Sequence, residues 1–391
     1  MDASQILSLI PSSLLKELAI ETDVNRYAKK LRAEVVFKLL MHCILSHKDN
    51  SLRTMESAYE SIVFNLLNSG SKKQQISFSS ISERLSVMKP EYFEKLYRAI
   101  VKIYAGEIKE KESTIIRFDS TIVALSSQLL KVGYLLKGGD AAHLKQLKFT
   151  IGFSELPMSA DFYTGQIYNS ENTALKASIL AQQPDKGSMI RILDRGISSR
   201  KTYDEFIDKK IPFISRLNNN SKHEIIIKNE LQIPLDTATL QIHSDQWVYL
   251  FGEGKVKAKQ PVRYIQGNQI MGNEPITFVT NISELDAAQI TDLYKRRWDI
   301  EVFFKFLKQE LNFSHLINRS ENGIRIRIML YATLIAAILL LVYKKKNGLS
   351  GYKIMKQKFV QELEKSITRD IVIMTGGDPI IFDNIFSKPP D

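Results

Sequence analysis

The stretch MIRILDRGISSRKTYDEFIDKKIPFISRL, residues 189–217, decides the fold class. Met189–Leu193 is a compact apolar run that stops at Asp194, and Arg195-Gly196 turns the chain into a helical pattern over Arg200–Lys209. Strand Pro212–Leu217 follows, so the stretch reads as strand, helix, strand, the repeating unit of parallel pairing. Upstream, Thr114–Phe118 is a β-branched run ending on Asp119, with apolar Ile122–Leu125 behind it. Leu144–Met158 and the residues up to Tyr168 alternate in part and predict two strands of an antiparallel meander, and Glu171–Gln182 predicts a helix. The expected class is α/β: a mixed sheet with flanking helices.

Further outward, Asn218–Ser221 is polar punctuation, and from there to Asn273 the pattern is strand-like, with turns at Gly252–Gly254 and Gly267-Asn268. Strand Pro275–Thr280 resumes the α/β unit, and Ser283–Leu311 predicts one long helix. From Ile6 to Ile108 apolar residues recur at helical spacing, as in Tyr27, Leu31, Val35, Val36, Leu39, Leu40 and Ile44. Breaks fall at Ser46–Ser51 and at the Gly/Ser/Lys loop Asn68–Gln75. The division is therefore a helical N-terminal domain (1–110), an α/β core (111–217 and 275–346), a β-rich insertion (218–274), and a C-terminal helix with a Gly/Pro-rich tail (347–391).

The 391 residues carry a formal net charge of +11, which favours an anionic partner such as nucleic acid. The N-terminal 110 residues are nearly neutral; a local cluster of Arg26, Lys29, Lys30 and Arg32 reads equally as a solvated helix face. The single cysteine, Cys43, excludes an intrachain disulfide and a multi-cysteine zinc site. Met1–Gln5 lacks the basic start and apolar run of a signal peptide, and a cytoplasmic location is expected. The most apolar run, IMLYATLIAAILLLVY (328–343), is shorter than the roughly 18 to 20 residues a bilayer span needs, so it predicts a buried core helix and no membrane partner. Lys344–Lys346 then suits the C-terminal end of a helix dipole. The six histidines, His42, His47, His143, His223, His243 and His315, show no metal-ligand spacing and read as structural.

Three carboxylates sit where chemistry is commonly mounted: Asp119 and Asp194 at strand ends, and Glu301 on the long helix. Carboxylate oxygens suit hard divalent cations, and a metal pair about 4 Å apart activates a nucleophile and stabilises a leaving oxygen in phosphoryl transfer. By spacing alone the same aspartates read as turn formers or helix caps. At about 100° per residue, Tyr294, Arg297, Glu301 and Lys308 fall within roughly 60° of one another, beside an apolar stripe of Leu293, Ile300, Phe304, Leu307 and Leu311. The bland reading is a solvated ion-paired face; the sharper one is an acid for a metal flanked by groups that grip phosphate.

Tyr294, Arg297, Glu301 and Lys308, within YKRRWDIEVFFKFLKQEL, resemble the signature of the insertion-sequence-four family of DDE transposases. FDST around Asp119, LDRG around Asp194 and FVTNI ahead of the long helix extend the resemblance. Asn25–Leu31 and Asp49–Arg53 resemble the family's N-terminal domain less specifically, and the coverage is about residues 20 to 345. The resemblance implies an RNase H-like core interrupted by the β-rich insertion, a helical domain that binds terminal inverted repeats, and cut-and-paste transposition of double-stranded DNA by a homodimer at the nucleoid. It implies that Asp119, Asp194 and Glu301 hold two Mg²⁺ ions, with Mn²⁺ as a substitute, while Tyr294, Arg297 and Lys308 grip the backbone at the scissile phosphate.

Relatives can pass through a DNA hairpin, which needs a displaced base to be held. Trp298 and Trp247 are candidates to stack on it, against an ordinary core role for either. In the insertion, Trp247, Tyr249, Phe251, Lys255, Lys257, Lys259 and Arg263 occupy odd positions and share a face if the strands run on in register, which makes Lys257 and Lys259 candidate DNA contacts. The competing readings are a catalytically inactive DNA-binding protein of the same fold, and an RNase H-like nuclease without strand transfer.

Overall fold

The computed structural model describes residues 3–47, 51–61, 64–65, 75–108, 115–125, 134–135, 145–182, 189–229, 235–252, 256–313 and 323–386. Most of the Asn68–Gln75 loop, His143, His315 and Lys255 lie outside the described residues. The chain forms two compact units: residues 1–108, 125–132 and 305–391 in one, and 109–124 with 133–304 in the other.

The second unit is built on one mixed sheet of 11 strands: β1 (Ile115–Leu125), β2 (Tyr134–Leu135), β3 (Lys145–Phe153), β4 (Pro157–Tyr163), β5 (Ile190–Leu193), β6 (Phe213–Leu217), β7 (His223–Lys228), β8 (Leu235–Asp236), β9 (Leu240–Leu250), β10 (Val262–Gln269) and β11 (Pro275–Thr280). The order is β2-β3-β1-β5-β6-β11-β10-β9-β7, with β4 on β3 and β8 on β9. The three central strands β1, β5 and β6 are parallel, with Phe118 opposite Leu193 and Leu193 opposite Ser215. Alternation along them makes two cores. Ile116, Phe118, Leu193 and Phe213 point to one face and pack with α7 (Glu171–Ala181) and α8 (Arg200–Asp208); Ile115, Ile190, Ile192 and Ile214 point to the other and pack with α9 (Ala287–Lys295). Strands apolar on both faces are what a helix-covered parallel sheet requires.

The segment read as a β-rich insertion continues the same sheet, because β11 pairs antiparallel with both β6 and β10, and β10 with β9. A bulge at Gln266/Gly267 is fitted closely to β9: a Cβ on Gly267 would stand 2.5 Å from the Gln241 carbonyl oxygen, so only glycine lets the strands approach there. Arg263 corrects the expectation of a shared cationic face. It lies across from Trp247, as alternation requires, but its guanidinium is buried, paired with Asp245 at 2.5 Å and donating to the Ile282 and Leu285 carbonyls. A buried guanidinium needs such saturation, and this one ties the sheet to the loop after β11.

The predicted helix Ser283–Leu311 is two helices. The first, α9, starts at a capping box in which Asp286 accepts from the Gln289 backbone while the Gln289 side chain accepts from the Asp286 backbone. The helical hydrogen-bond pattern then tightens to i→i+3, Arg296 to Leu293 and Arg297 to Tyr294, and α10 (Trp298–Gln309) begins beyond it. The boundary between the compact units falls within α10.

The first unit, apart from Leu125 at the end of β1, has helices as its described secondary structure: α1 (Ala3–Ser8), α2 (Ser12–Glu21), α3 (Ala33–Ser46), α4 (Leu52–Glu60), α5 (Phe78–Val87) and α6 (Glu91–Ile108), then α11 (Gly323–Lys346), α12 (Tyr352–Met374) and α13 (Pro379–Phe386). The sequence division placed residues 305–346 with the α/β core; in the structure they group with the N-terminal helices. The apolar run is the middle of α11, which by length and composition alone could cross a membrane. Its most apolar window is 94% buried, however, and it packs on α3, α5, α6 and α12. Polar latches fix its ends: Arg325 donates to Ser82, Arg327 pairs with Glu94 at 3.0 Å, and Lys346 pairs with Glu107 at 3.0 Å. A helix apolar on every side belongs inside a bundle when neighbours enclose it this way. The expected Gly/Pro tail contains α13, whose Ile380, Ile381, Ile385 and Phe386 are exposed.

Candidate active site

Asp119 follows Phe118 on β1, and Asp194 follows Leu193 at the end of β5. Since Phe118 and Leu193 are the last partners in parallel register, the two aspartates sit side by side where that pairing ends; β1 itself runs on to Leu125, which corrects the expected strand end at Asp119, because the β-branched and apolar residues after it continue the extended chain. Continuing the alternation puts both on the face that carries α9, and the same end of the sheet receives α10 with Glu301 in its first turn.

Arg297, in the break between the two helices, joins these acids. Its guanidinium stands 3.9 Å from Asp194 Oδ2 and is hydrogen-bonded to Glu301 Oε1, while 6.0 Å separates it from the centre of the Tyr294 ring. Tyr294 is buried edge-on against Phe278, and burial pushes its phenol above the usual range. Trp298 is 64% exposed, so a core role is excluded for it. Trp298, Arg297, Tyr294, Lys295 and Arg216 line a cavity of about 430 Å³ together with exposed Met271. The helix break divides the predicted polar stripe. Lys308 is exposed in the last turn of α10, in the other compact unit. In the sheet extension, Trp247 is half-buried, Lys257 is pinned over the Tyr249 ring (4.2 Å) and paired with Glu224 (2.8 Å), and Lys259 is exposed.

The break has a structural cause that the sequence reading missed. Arg117, two residues before Asp119, is fully buried. Its Nε donates to the Arg296 carbonyl (2.6 Å), Nη1 donates to the Ser154 carbonyl (2.9 Å), and Nη2 pairs with Asp299 (2.7 Å). By capturing the Arg296 carbonyl and an acid in the first turn of α10, Arg117 docks the start of the Glu301 helix onto the strand that bears Asp119. The signal was available: a lone cation inside an apolar strand, IIRF, needs a buried partner.

Burial pushes the Asp119 carboxyl up to about 6; its neighbours Glu171 and Asp194 push the same way, and the Ser120 amide at 2.7 Å and Arg297 oppose them. Arg195 and Arg216 add positive charge beside Asp194 and Arg297. Glu171, Arg195 and Arg216 were not singled out from the sequence, because nothing in local spacing brings them here. Among the described residues no three acids, histidines or cysteines are gathered tightly enough to cage an ion, and Arg297 bridges Asp194 and Glu301. The donor chemistry nevertheless fits a hard divalent cation: Asp119 and Asp194 bring carboxylate oxygens side by side, and a cation would favour the ionised Asp119 that burial and its acidic neighbours disfavour.

Residues 111–339 match the family described as Transposase DDE domain. The putative transposase for insertion sequence element IS4SA of Synechocystis sp. is 29% identical over 255 residues, 62% of this chain and 64% of that protein. The putative transposase y4zB of Sinorhizobium fredii is 26% identical over 159 residues, 41% and 44% of the two chains. The probable transposase for insertion sequence element IS5377 of Geobacillus stearothermophilus is 27% identical over 161 residues, 41% of each. The matched region thus spans less than two thirds of the length of each of these relatives.

Two outcomes are expected. Replacing Arg117 by Met removes the donor to the Ser154 carbonyl and one of the two donors to the Arg296 carbonyl and frees Asp299, and costs about 1–3 kcal/mol in urea unfolding; no loss of stability would remove Arg117 from its docking role. Asp119→Asn acts through pH. A carboxyl whose folded pKa is raised from 3.8 to about 6 disfavours the folded state increasingly as pH climbs between those values. The metal-free Asn variant is therefore more stable than the parent by about 1–3 kcal/mol at pH 7.5 and equal to it below pH 4. Equal stability at both pH values would contradict a carboxyl raised by burial.

Proposed function

The chain belongs to the DDE transposases, of the insertion-sequence-four kind, and from that membership we propose that it binds the terminal inverted repeats of an insertion sequence and cuts and rejoins the DNA. The single observation that carries this reading is the convergence of Asp119 and Asp194, side by side where the parallel pairing of β1 and β5 ends, with Glu301 linked to Asp194 through Arg297. The central parallel strands with helices on both faces support an RNase H-like reading of the second unit.

In this mechanism Asp119, Asp194 and Glu301 hold divalent metal, two Mg²⁺ ions with Mn²⁺ as a substitute. Bound there, the metal supplies Lewis acidity to the scissile phosphate and lowers the pKa of the attacking water. The chain's own groups do the rest. Arg297, poised between two carboxylates, exchanges one of them for a phosphate oxygen, which a planar guanidinium grips in two places. Arg216 and Lys295 line the adjoining cavity and extend the positive surface along the backbone. Exposed Trp298 at the same cavity offers a ring face for an unstacked base, as a hairpin route requires. Lys308, farther along α10, and Lys257 and Lys259 in the sheet extension contact DNA phosphates. The helical residues 1–110 read the repeat, and two copies act together because two ends must be joined. The DNA substrate puts the protein at the nucleoid, in the cytoplasm.

The test incubates wild type and Glu301→Gln with Mg²⁺ and a labelled duplex carrying the element's own end. Glu301→Gln is expected to bind the duplex within about threefold of wild type and to lose cleavage by about 10³-fold or more, as removal of a charge-stabilising group does. Binding without cleavage by the wild type would instead establish the inactive DNA-binding reading. Reversal of Lys257 and Lys259 to Glu is expected to flatten the salt dependence of binding by about two phosphate contacts. An unchanged slope would exclude that surface.

A further inference from the structure

Glu171 is the first residue of α7, where an acid ordinarily complements the helix dipole and points to water. Here it points inward. Its Oε1 accepts from Ser120 Oγ at 3.0 Å, and its carboxylate lies against the backbone of Gly196, where a Cβ would stand 2.4 Å from Cδ and Oε2. Among the described residues no ion pair engages it. Ser120 is the residue after Asp119 and donates its backbone N–H to Asp119 Oδ1 at 2.7 Å. Gly196 lies within the tight turn that starts at Asp194, whose carbonyl accepts from the Ile197 amide at 3.3 Å. One side chain therefore touches both segments that carry Asp119 and Asp194, from the face of the sheet opposite to α9.

We propose that Glu171 is a positioning residue: its carboxylate clamps the Ser120 hydroxyl to the Gly196 turn and so sets the placement of Asp119 relative to Asp194. The geometric part stands on the contacts above; the link to DNA cleavage rests on the transposase reading. Glycine at 196 follows from the clamp, since any side chain there would evict the carboxylate. The hydrogen-bonding serine at 120 follows as well. A partner that orients a ligand through one intermediate typically changes metal affinity or activity by about 10- to 100-fold when removed.

The experiment uses the full chain with Glu171→Ala, Glu171→Gln, Ser120→Ala and the Ser120→Ala/Glu171→Ala double variant. Binding of Mn²⁺ alone is read by calorimetry, single-turnover cleavage on the end duplex, and folding by urea titration. Glu171→Ala is expected to weaken Mn²⁺ binding and cleavage together by about 10- to 100-fold. Glu171→Gln, whose amide oxygen still accepts from Ser120, is expected to recover both to within about threefold. The double variant is expected to be no worse than Glu171→Ala, because both changes break one contact. Wild-type Mn²⁺ affinity in Glu171→Ala, or a Gln variant as defective as the Ala variant, overturns the clamp and leaves the transposase reading untouched. Should Glu171→Ala fail to fold, Ser120→Ala decides, and an undiminished Mn²⁺ affinity there also overturns it. A wild type that binds Mn²⁺ through this clamp without cutting the duplex rejects the transposase reading and leaves the clamp standing.

Discussion

The Arg117 guanidinium is the constraint on which the site depends. A buried charge costs several kcal/mol unless it is paired and hydrogen-bonded, and in this protein the partners come from two other parts of the chain: the Ser154 carbonyl after β3 and the Arg296 carbonyl accept from it, and Asp299 at the start of the Glu301 helix pairs with it. The arrangement works in both directions. The strand cannot bury Arg117 without the helix junction, and the junction gains from Arg117 a second donor to the Arg296 carbonyl, which also accepts from the Asp299 amide, and a cation for Asp299. The placement of Glu301 relative to Asp119 is therefore fixed by an interaction two residues away from each catalytic candidate.

Charge at the site is balanced by the same economy of contacts. Asp119, Asp194, Glu171 and Glu301 bring four acids to one end of the sheet, and Arg297, Arg195 and Arg216 answer them. Such a set is unfavourable for stability when the groups stand alone: Asp119 is raised first by burial and further by Glu171 and Asp194. It becomes useful when a cation or a phosphate arrives, because each pairing already present can be exchanged for one with the ligand. The exposed Trp298 and the cavity beside it follow from the helix break: an unbroken helix would have kept 298 in phase with residues of α9.

The first unit uses a different principle. Its centre is α11, apolar on every side, and the helices from both ends of the chain enclose it. Residues 3–108 and 323–386 thus share one core, although more than 200 residues separate them. The apolar run and the N-terminal amphipathic helices were each legible as helices. Their partnership was not, because periodicity reports which face is buried and says nothing of what buries it.

The sequence by itself determined the parallel strand–helix–strand unit at 189–217, the position of Asp194 at a strand end, and the helical character of the stretches near both chain termini; it ended a strand at Asp119, where β1 in fact runs on to Leu125. Each of these is local: alternation, a β-branched run or a turn residue decides it within about ten positions. It also carried the spaced residues of the helix motif, but assigned them to one unbroken face. Only the tertiary structure decided that the helix breaks at Arg296-Arg297, that Arg263 is buried, that β7 to β10 extend the central sheet, and that Glu171 reaches the loops of both aspartates. The reason is common to all four. A buried ion or hydrogen bond is satisfied by whichever group the fold brings within about 3 Å, and those partners lie tens to hundreds of residues away along the chain.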